Sequence, residues 1–176
     1  MRADGLIERR HTAEGLAGRA LWSPCGAWRY RLDRVWAPGG RRLVWVMLNP
    51  SRATEARTDP TVERCLRRAR AAGYGRLTVV NLFALCATDP RALRRAADPV
   101  GPANDAAIEA AVRGAALVLC GWGTHGALQG RGARVAARLA ASAVPLAHLG
   151  LTRGGHPRHP LYVGYATLPT AWTPGA

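Results

Sequence analysis

Leu43-Val44-Trp45-Val46-Met47-Leu48-Asn49-Pro50-Ser51 is an unbroken apolar run closed by an Asn-Pro pair. A strand with one wet face alternates apolar and polar residues. A run with no alternation is buried on both faces, as strands of a parallel sheet are. Proline lacks the N–H that a ladder needs, so the strand stops there and Asn49 stands at its carboxyl end. Leu77–Leu82, Ala116–Cys120 and Pro145–Leu149 have the same character and are read as the other buried strands.

Helical signals separate these runs. Asp59-Pro60 pairs a capping carboxylate with proline at the first helical position. Val62, Cys65, Leu66 and Ala69 follow at i, i+3, i+4 and i+7, and Gly73 ends the helix. Asp89-Pro90 repeats the start signal for a short helix over Arg91–Ala96. Asn104 or Asp105 opens a helix to about Arg113, and another covers Arg131–Ala141. Upstream, Ala20–Ser23 and Trp28–Val35 read as strands, and Pro38-Gly39-Gly40 turns into the first buried run, which makes an antiparallel meander. A short edge strand is expected near Tyr162–Tyr165.

The expected fold is α/β: a three-layer α/β/α arrangement with a central, mostly parallel four-stranded sheet and an N-terminal antiparallel meander. A chain of 176 residues fits one domain, here 1–176, with a loose lead-in at 1–18, a core at 19–165 and a tail at 166–176. Ligands of such sheets bind beyond the carboxyl ends of the strands. Asn49-Pro50-Ser51, Asn81–Asp89, Gly121–Gly126 and Gly150–His159 are therefore expected to converge on one sheet edge.

Composition narrows the class. No apolar run is long enough for a bilayer, and Met1–Arg10 is charged and lacks a signal-peptide core, so the cytoplasm and no membrane partner are expected. Cys25, Cys65, Cys86 and Cys120 are scattered with no CxxC pair, and neither a zinc site nor a disulfide framework is indicated. The formal charge is +14, and all 25 basic residues are arginine. That bias is also what a GC-rich coding sequence produces. The distribution is more telling: after Glu109 no Asp or Glu occurs, while Arg113, Arg131, Arg134, Arg138, Arg153 and Arg158 do. An anionic partner is expected, a nucleic acid or a nucleotide. The oligomeric state is not legible, and a monomer is the default.

The residues at the strand ends carry the chemistry. Asn49 offers a donor and an acceptor that can orient a water or a base edge, although Asn-Pro is also a common turn. Pro50 and Ser51 continue that loop. Asn81, a polar residue in an apolar strand, is read as bonding loop backbone. Asp59 is a helix cap and, as one of few carboxylates there, the reserve general base. Gly121-Trp122-Gly123-Thr124-His125-Gly126 matches GxGxxG, but it follows a late strand and no acidic residue lies downstream to hold a ribose. A dinucleotide is not expected, nor is any other cofactor or metal. The loop amides of Gly121 and Gly123, with His125, remain candidates for phosphate. Trp122 either stacks on a base or fills the core. Gly154-Gly155-His156-Pro157-Arg158-His159-Pro160-Leu161-Tyr162 sets two histidines before prolines, which keeps both off a regular helix and on a stiff extended loop. A histidine facing an anion is expected, with His156 and His159 both open.

Met47–Ser51, Asp59-Pro60-Thr61, Val80–Ala84, Ala87–Pro90, Asp98–Asp105, Gly121-Trp122-Gly123 and the His-Pro-Arg-His-Pro-Leu-Tyr loop together resemble the bacterial DUF1643 family, over about Ala20 to Tyr165. The motif order is also similar, more distantly, to the uracil-DNA glycosylase superfamily. There an Asn-Pro or Asp-Pro loop positions the attacking water, and a later His-Pro-Ser loop grips the base. Asn49-Pro50 matches the first motif, and His156-Pro157 or His159-Pro160 the second. Met47 replaces the usual glycine, and His-Pro-Arg-His-Pro replaces His-Pro-Ser. The resemblance implies a DNA glycosylase that cleaves an N-glycosidic bond. Asn49 would hold the water with Asp59 as base, and His156 or His159 would stabilise the leaving base. Asn81, Phe83, Trp122 and Tyr162 would line the base pocket, and Arg153 and Arg158 would meet phosphates. The alternatives are a non-catalytic nucleic-acid binder of the same fold and an enzyme acting on free nucleotides or nucleosides.

Overall fold

A computed structural model describes residues 5–175. Eight strands form one sheet: β1 (Ile7–Ala13), β2 (Leu16–Trp22), β3 (Arg29–Val35), β4 (Arg42–Met47), β5 (Arg76–Asn81), β6 (Leu117–Cys120), β7 (Leu146–His148) and β8 (Thr170–Ala171). Their order across the sheet is β1-β2-β3-β5-β4-β6-β7-β8. The α/β class holds, but the sheet is mixed, with four antiparallel and three parallel pairings. The four strands expected to be parallel, β5, β4, β6 and β7, are parallel to one another, but they are half of one eight-stranded sheet and not a sheet of their own. β3 hydrogen-bonds directly to β5, so the meander extends the same sheet.

Alternation along the buried strands sorts the core into two faces. Leu43, Trp45 and Met47 of β4 pack with Leu77 and Val79 of β5 and with Val62, Cys65, Leu66 and Ala69 of helix α1 (Pro60–Ala71). Val44 and Val46 face the other way, toward Ile108 and Val112 of α2 (Asn104–Val112) and Val135 and Leu139 of α3 (Arg131–Ala140). Asp59 caps α1 as its spacing predicts, its Oδ1 accepting from the Val62 amide at 2.9 Å.

Four further expectations are corrected. Residues 7–13 of the supposed loose lead-in are β1, paired along its whole length with β2. Every β1 side chain is exposed, so no apolar period marks it, and backbone pairing plus the Glu8–Arg19 ion pair hold it. The edge strand expected near Tyr162–Tyr165 is instead a 3-10 turn over Pro160–Tyr162, because proline removes a ladder donor. The last strand, β8, comes from the supposed tail, where the Trp172 ring packs 5.7 Å from Trp122. Finally, the glycine-rich loop does not open α3: a kinked 3-10 segment, Thr124–Gly130, intervenes.

A β-bulge sets one more side chain. Arg31 pairs with Leu21 and Arg29 with Trp22, so Tyr30 is the extra residue. The bulge turns Arg29 onto the α1 face, where its Nη1 donates to the Ala53 carbonyl. Arg34, on the same face, donates to the carbonyls of Thr54 at 2.6 Å and Arg57 at 2.9 Å. Both arginines are buried, and together they pin the loop that joins β4 to α1.

Candidate functional site

The loops leaving β4, β5, β6 and β7 do meet. The Ala87 amide donates to the Pro50 carbonyl at 2.9 Å, which ties the second loop to the first. The Gly123 amide donates to the Pro157 carbonyl at 2.8 Å, tying the third to the fourth. A side chain at Gly121 would stand 2.9 Å from the Trp45 ring and 3.0 Å from Pro160 Cδ, so glycine there lets the His-Pro loop seat over β4. The backbone of Val163, at the end of that loop, accepts from Arg64 of α1 at 3.0 Å.

Asn49 is half-buried at the junction of the first two loops. Its Nδ2 donates to the carbonyls of Pro50 and Ala87, each at 2.8 Å. Carbonyl oxygens only accept, so the amide has one orientation and both its protons are used. Oδ1 remains as an acceptor held at the carboxyl end of β4. Asp59 uses both oxygens as well, Oδ1 on Val62 and Oδ2 on the Ala53 amide at 3.2 Å. It is therefore a cap that also fastens the 53–59 loop.

Asn81 ends β5 on the α1 face and is only 2 % exposed, yet its amide nitrogen has no hydrogen-bond partner among the described residues. The bond to loop backbone expected of it is made by Asn104, whose Nδ2 donates to the carbonyls of Asn81 and Leu82 at 3.0 Å each. Arg131 adds a second clamp, its Nε donating to the Leu82 carbonyl at 2.9 Å while its Nη2 pairs with Asp105. The Asn81 amide nitrogen is one of nine buried side-chain nitrogen or oxygen atoms without a partner among the described residues, and it stands at the carboxyl end of a central strand.

The two histidines separate. His156 lies in a turn closed by Thr152, whose hydroxyl accepts from the His156 amide at 3.1 Å and whose own amide donates to the His156 carbonyl at 2.8 Å. His159 lies against Gly123 and 5.8 Å from the Tyr162 ring. Its Nδ1 accepts from the Leu161 amide at 3.3 Å, leaving Nε2 to carry the proton. Burial pushes its pKa down to about 4, with Asp59 opposing, so it is a neutral hydrogen-bond donor at pH 7.

Other expected site residues lie elsewhere. Phe83 and Trp122 are buried in the core on the α2/α3 face, so neither offers a ring to a base. A Cβ at Gly126 would meet the Trp122 ring at 2.1 Å, which assigns that glycine to packing. The Gly121 and Gly123 amides already donate to the carbonyls of Val46 and Pro157, so they are not free to cradle a phosphate. Ser51 is half-buried on the first loop, Pro50 carries the carbonyl that holds Asn49, and His125, Arg153, Arg158 and Tyr162 are exposed. Of the basic C-terminal third, Arg131 and Arg138 pair with Asp105 of α2, so part of that charge is offset across the fold. Arg29, Asn104 and Arg131 were not singled out as site residues from sequence. A buried arginine and an ordinary helix-start asparagine carry no local pattern.

Two cavities lie outside the junction of these loops, the second lined in part by Glu55, Ala56 and Thr58 of the β4–α1 connection. One of about 360 Å³ sits between α2 and α3, and one of about 320 Å³ sits between the β1–β2 ribbon and α1. Among the described residues no three His, Cys, Asp or Glu side chains gather to hold a metal, and no helix is long and apolar enough to cross a membrane. The four cysteines are free. A sequence profile described as "Protein of unknown function (DUF1643)" matches residues 29–161, well over half the chain. No curated protein and no solved structure matches.

Proposed function

Because the chain belongs to the DUF1643 family, whose description carries no activity, we propose a function from the site itself: a DNA glycosylase that hydrolyses the N-glycosidic bond of a modified or damaged base. The observation that carries this reading is the clamped amide of Asn49, which leaves Oδ1 as a fixed acceptor on the loop that follows β4, whose last residue, Met47, is the register partner of Asn81. In this reading the fold is akin to the uracil-DNA glycosylase superfamily, with Asn49-Pro50 as the water loop and His159-Pro160 as the base loop.

The chemistry follows from those groups. The C1′–N bond breaks with its electron pair leaving on the base, and C1′ becomes oxocarbenium-like. A water whose proton is accepted by Asn49 Oδ1 attacks C1′, and its proton passes to solvent or to the departing base. Neutral His159 donates from Nε2 to the negative charge growing on the base, a preorganised donor that needs no buried cation. Tyr162 is the aromatic beside His159, and Asn81, 2 % exposed at the end of β5, would meet the base edge only when the loops above it part. Asp59 keeps the loop in place.

The test is a base-release assay on DNA oligonucleotides carrying uracil, hypoxanthine, xanthine, alkylated and hypermodified bases, with alkali to cut abasic sites. Cleavage of one of them, lowered at least 100-fold by Asn49→Ala with the fold intact, is expected, by analogy with removal of one preorganised group. No cleavage with salt-sensitive binding would instead mark a non-catalytic binder. Neither would turn the search to free nucleotides.

A further inference from the structure

Five large apolar side chains are exposed among the described residues, and four of them fall in one short stretch: Leu151, Tyr162, Tyr165 and Leu168. Tyr162 is 76 % exposed and Leu168 79 %. Scattered exposed apolar groups are ordinary, but a concentration beside a candidate site marks a contact surface.

The stretch is pinned from below. Arg68 of α1 donates to the carbonyls of Gly164 at 2.5 Å, Thr167 at 2.9 Å and Val163 at 3.2 Å, and Arg64 to that of Val163 at 3.0 Å. The Arg64 and Arg68 guanidinium groups also lie 4.7 Å and 5.4 Å from the centre of the Tyr165 ring, and the residue stays 49 % exposed. These side chains therefore point outward from a held backbone. Arg153 and Arg158 of the same stretch are exposed and pair with no carboxylate among the described residues. No Asp or Glu follows Glu109 in the chain.

We propose that residues 151–168 form a stacking platform for an unpaired nucleic-acid strand, so that the strand delivered to the Asn49 loop is single-stranded or locally opened. This rests on the nucleic-acid reading above and adds the form of the substrate. Exposed aromatic rings on the same stretch as unpaired arginines suit unstacked bases and their phosphates. A duplex offers phosphates but keeps its base faces stacked on one another, so it leaves the tyrosines and Leu168 unused. The all-arginine rim favours a polyanion over a second copy of this basic chain.

Anisotropy titration of the full-length protein with labelled oligo-dT, alone and annealed to oligo-dA, tests this. Oligo-dT is expected to bind about tenfold or more tighter than the duplex. Tyr165→Ala/Leu168→Ala is expected to lose about tenfold on oligo-dT with duplex affinity and Tm unchanged, the size typical of a base–aromatic stack. Tyr165→Trp should retain binding. Equal or tighter binding of the duplex would overturn the proposal, as would unchanged oligo-dT affinity in the double variant. So would a double variant that only converts a dimer to a monomer in sedimentation. Base release is scored separately: cleavage without single-strand preference keeps the glycosylase and removes the platform, and preference without cleavage does the reverse.

Discussion

Asn49, Asp59 and His159 each owe their role to which of their atoms are already engaged. Asp59 spends both oxygens on backbone amides, so its first duty is mechanical. Asp59→Asn keeps a capping oxygen and is expected to retain most base release, whereas Asp59→Ala should cost about 1–2 kcal/mol of stability in urea melts. If Asp59→Asn abolishes release while melting like wild type, Asp59 is the base after all. His159 gives a pH signature. Its pKa falls from 6.5 to about 4 in the folded protein. The unfolded chain then binds the extra proton first, so the stability tied to neutral His159 is whole above 6.5 and drains away as pH drops toward 4. The loss is about 3 kcal/mol at roughly 1.4 kcal/mol per unit. His159→Gln should flatten that part of the stability profile, measured by denaturant melts across the window. The acid limb of wild-type base release should sit near pH 4, well below that of an ordinary histidine.

Loops converge here because the elements beneath them have no room for alternatives. β4 lies between β5 and β6, so its Asn-Pro end is flanked by both neighbouring loops. Gly121, at the end of β6, faces Trp45 and Pro160 with no space for a methyl group. Gly121→Ala is expected to displace the Pro160 turn, lowering Tm by several degrees and base release at least tenfold through the shift of His159, with Asn49 untouched. Base release at the wild-type rate would show that the His-Pro loop is not part of the site. The helix cap at Asp59 and the strand ending at Asn49 were legible because their signals are local: a carboxylate before proline, and an apolar run stopped by proline. β1 was not legible, since a strand exposed on every residue has no period to show. The assignment of Trp122 and Phe83 to the core also needed the fold, because an aromatic after a strand reads the same whether it faces a ligand or a helix.

At the scale of the whole molecule, charge would decide how the protein meets the proposed polyanion. Of the arginines after Glu109, Arg131 and Arg138 are paired with α2, while Arg153 and Arg158 stand free beside the site. Arg153→Ala/Arg158→Ala should weaken oligo-dT binding and reduce its log–log salt slope by about 1.4, at roughly 0.7 per phosphate contact on a single strand. Arg134→Ala, on α3, should change neither. An unchanged slope in the double variant would place the phosphates elsewhere. Sequence alone determined the α/β class, the buried strands, the α1 boundaries and the family, because burial on both faces and helix caps are written in neighbouring residues. Tertiary structure alone decided that the meander and the sheet are one, and that residues of the supposed tail complete the edge. It also parted His159, seated against Gly123, from His156 in the Thr152 turn, and released the Asn81 amide while Asn104 took its place. Those outcomes depend on which distant carbonyl lies within hydrogen-bond reach of a given side chain, a distance that chain separation does not encode.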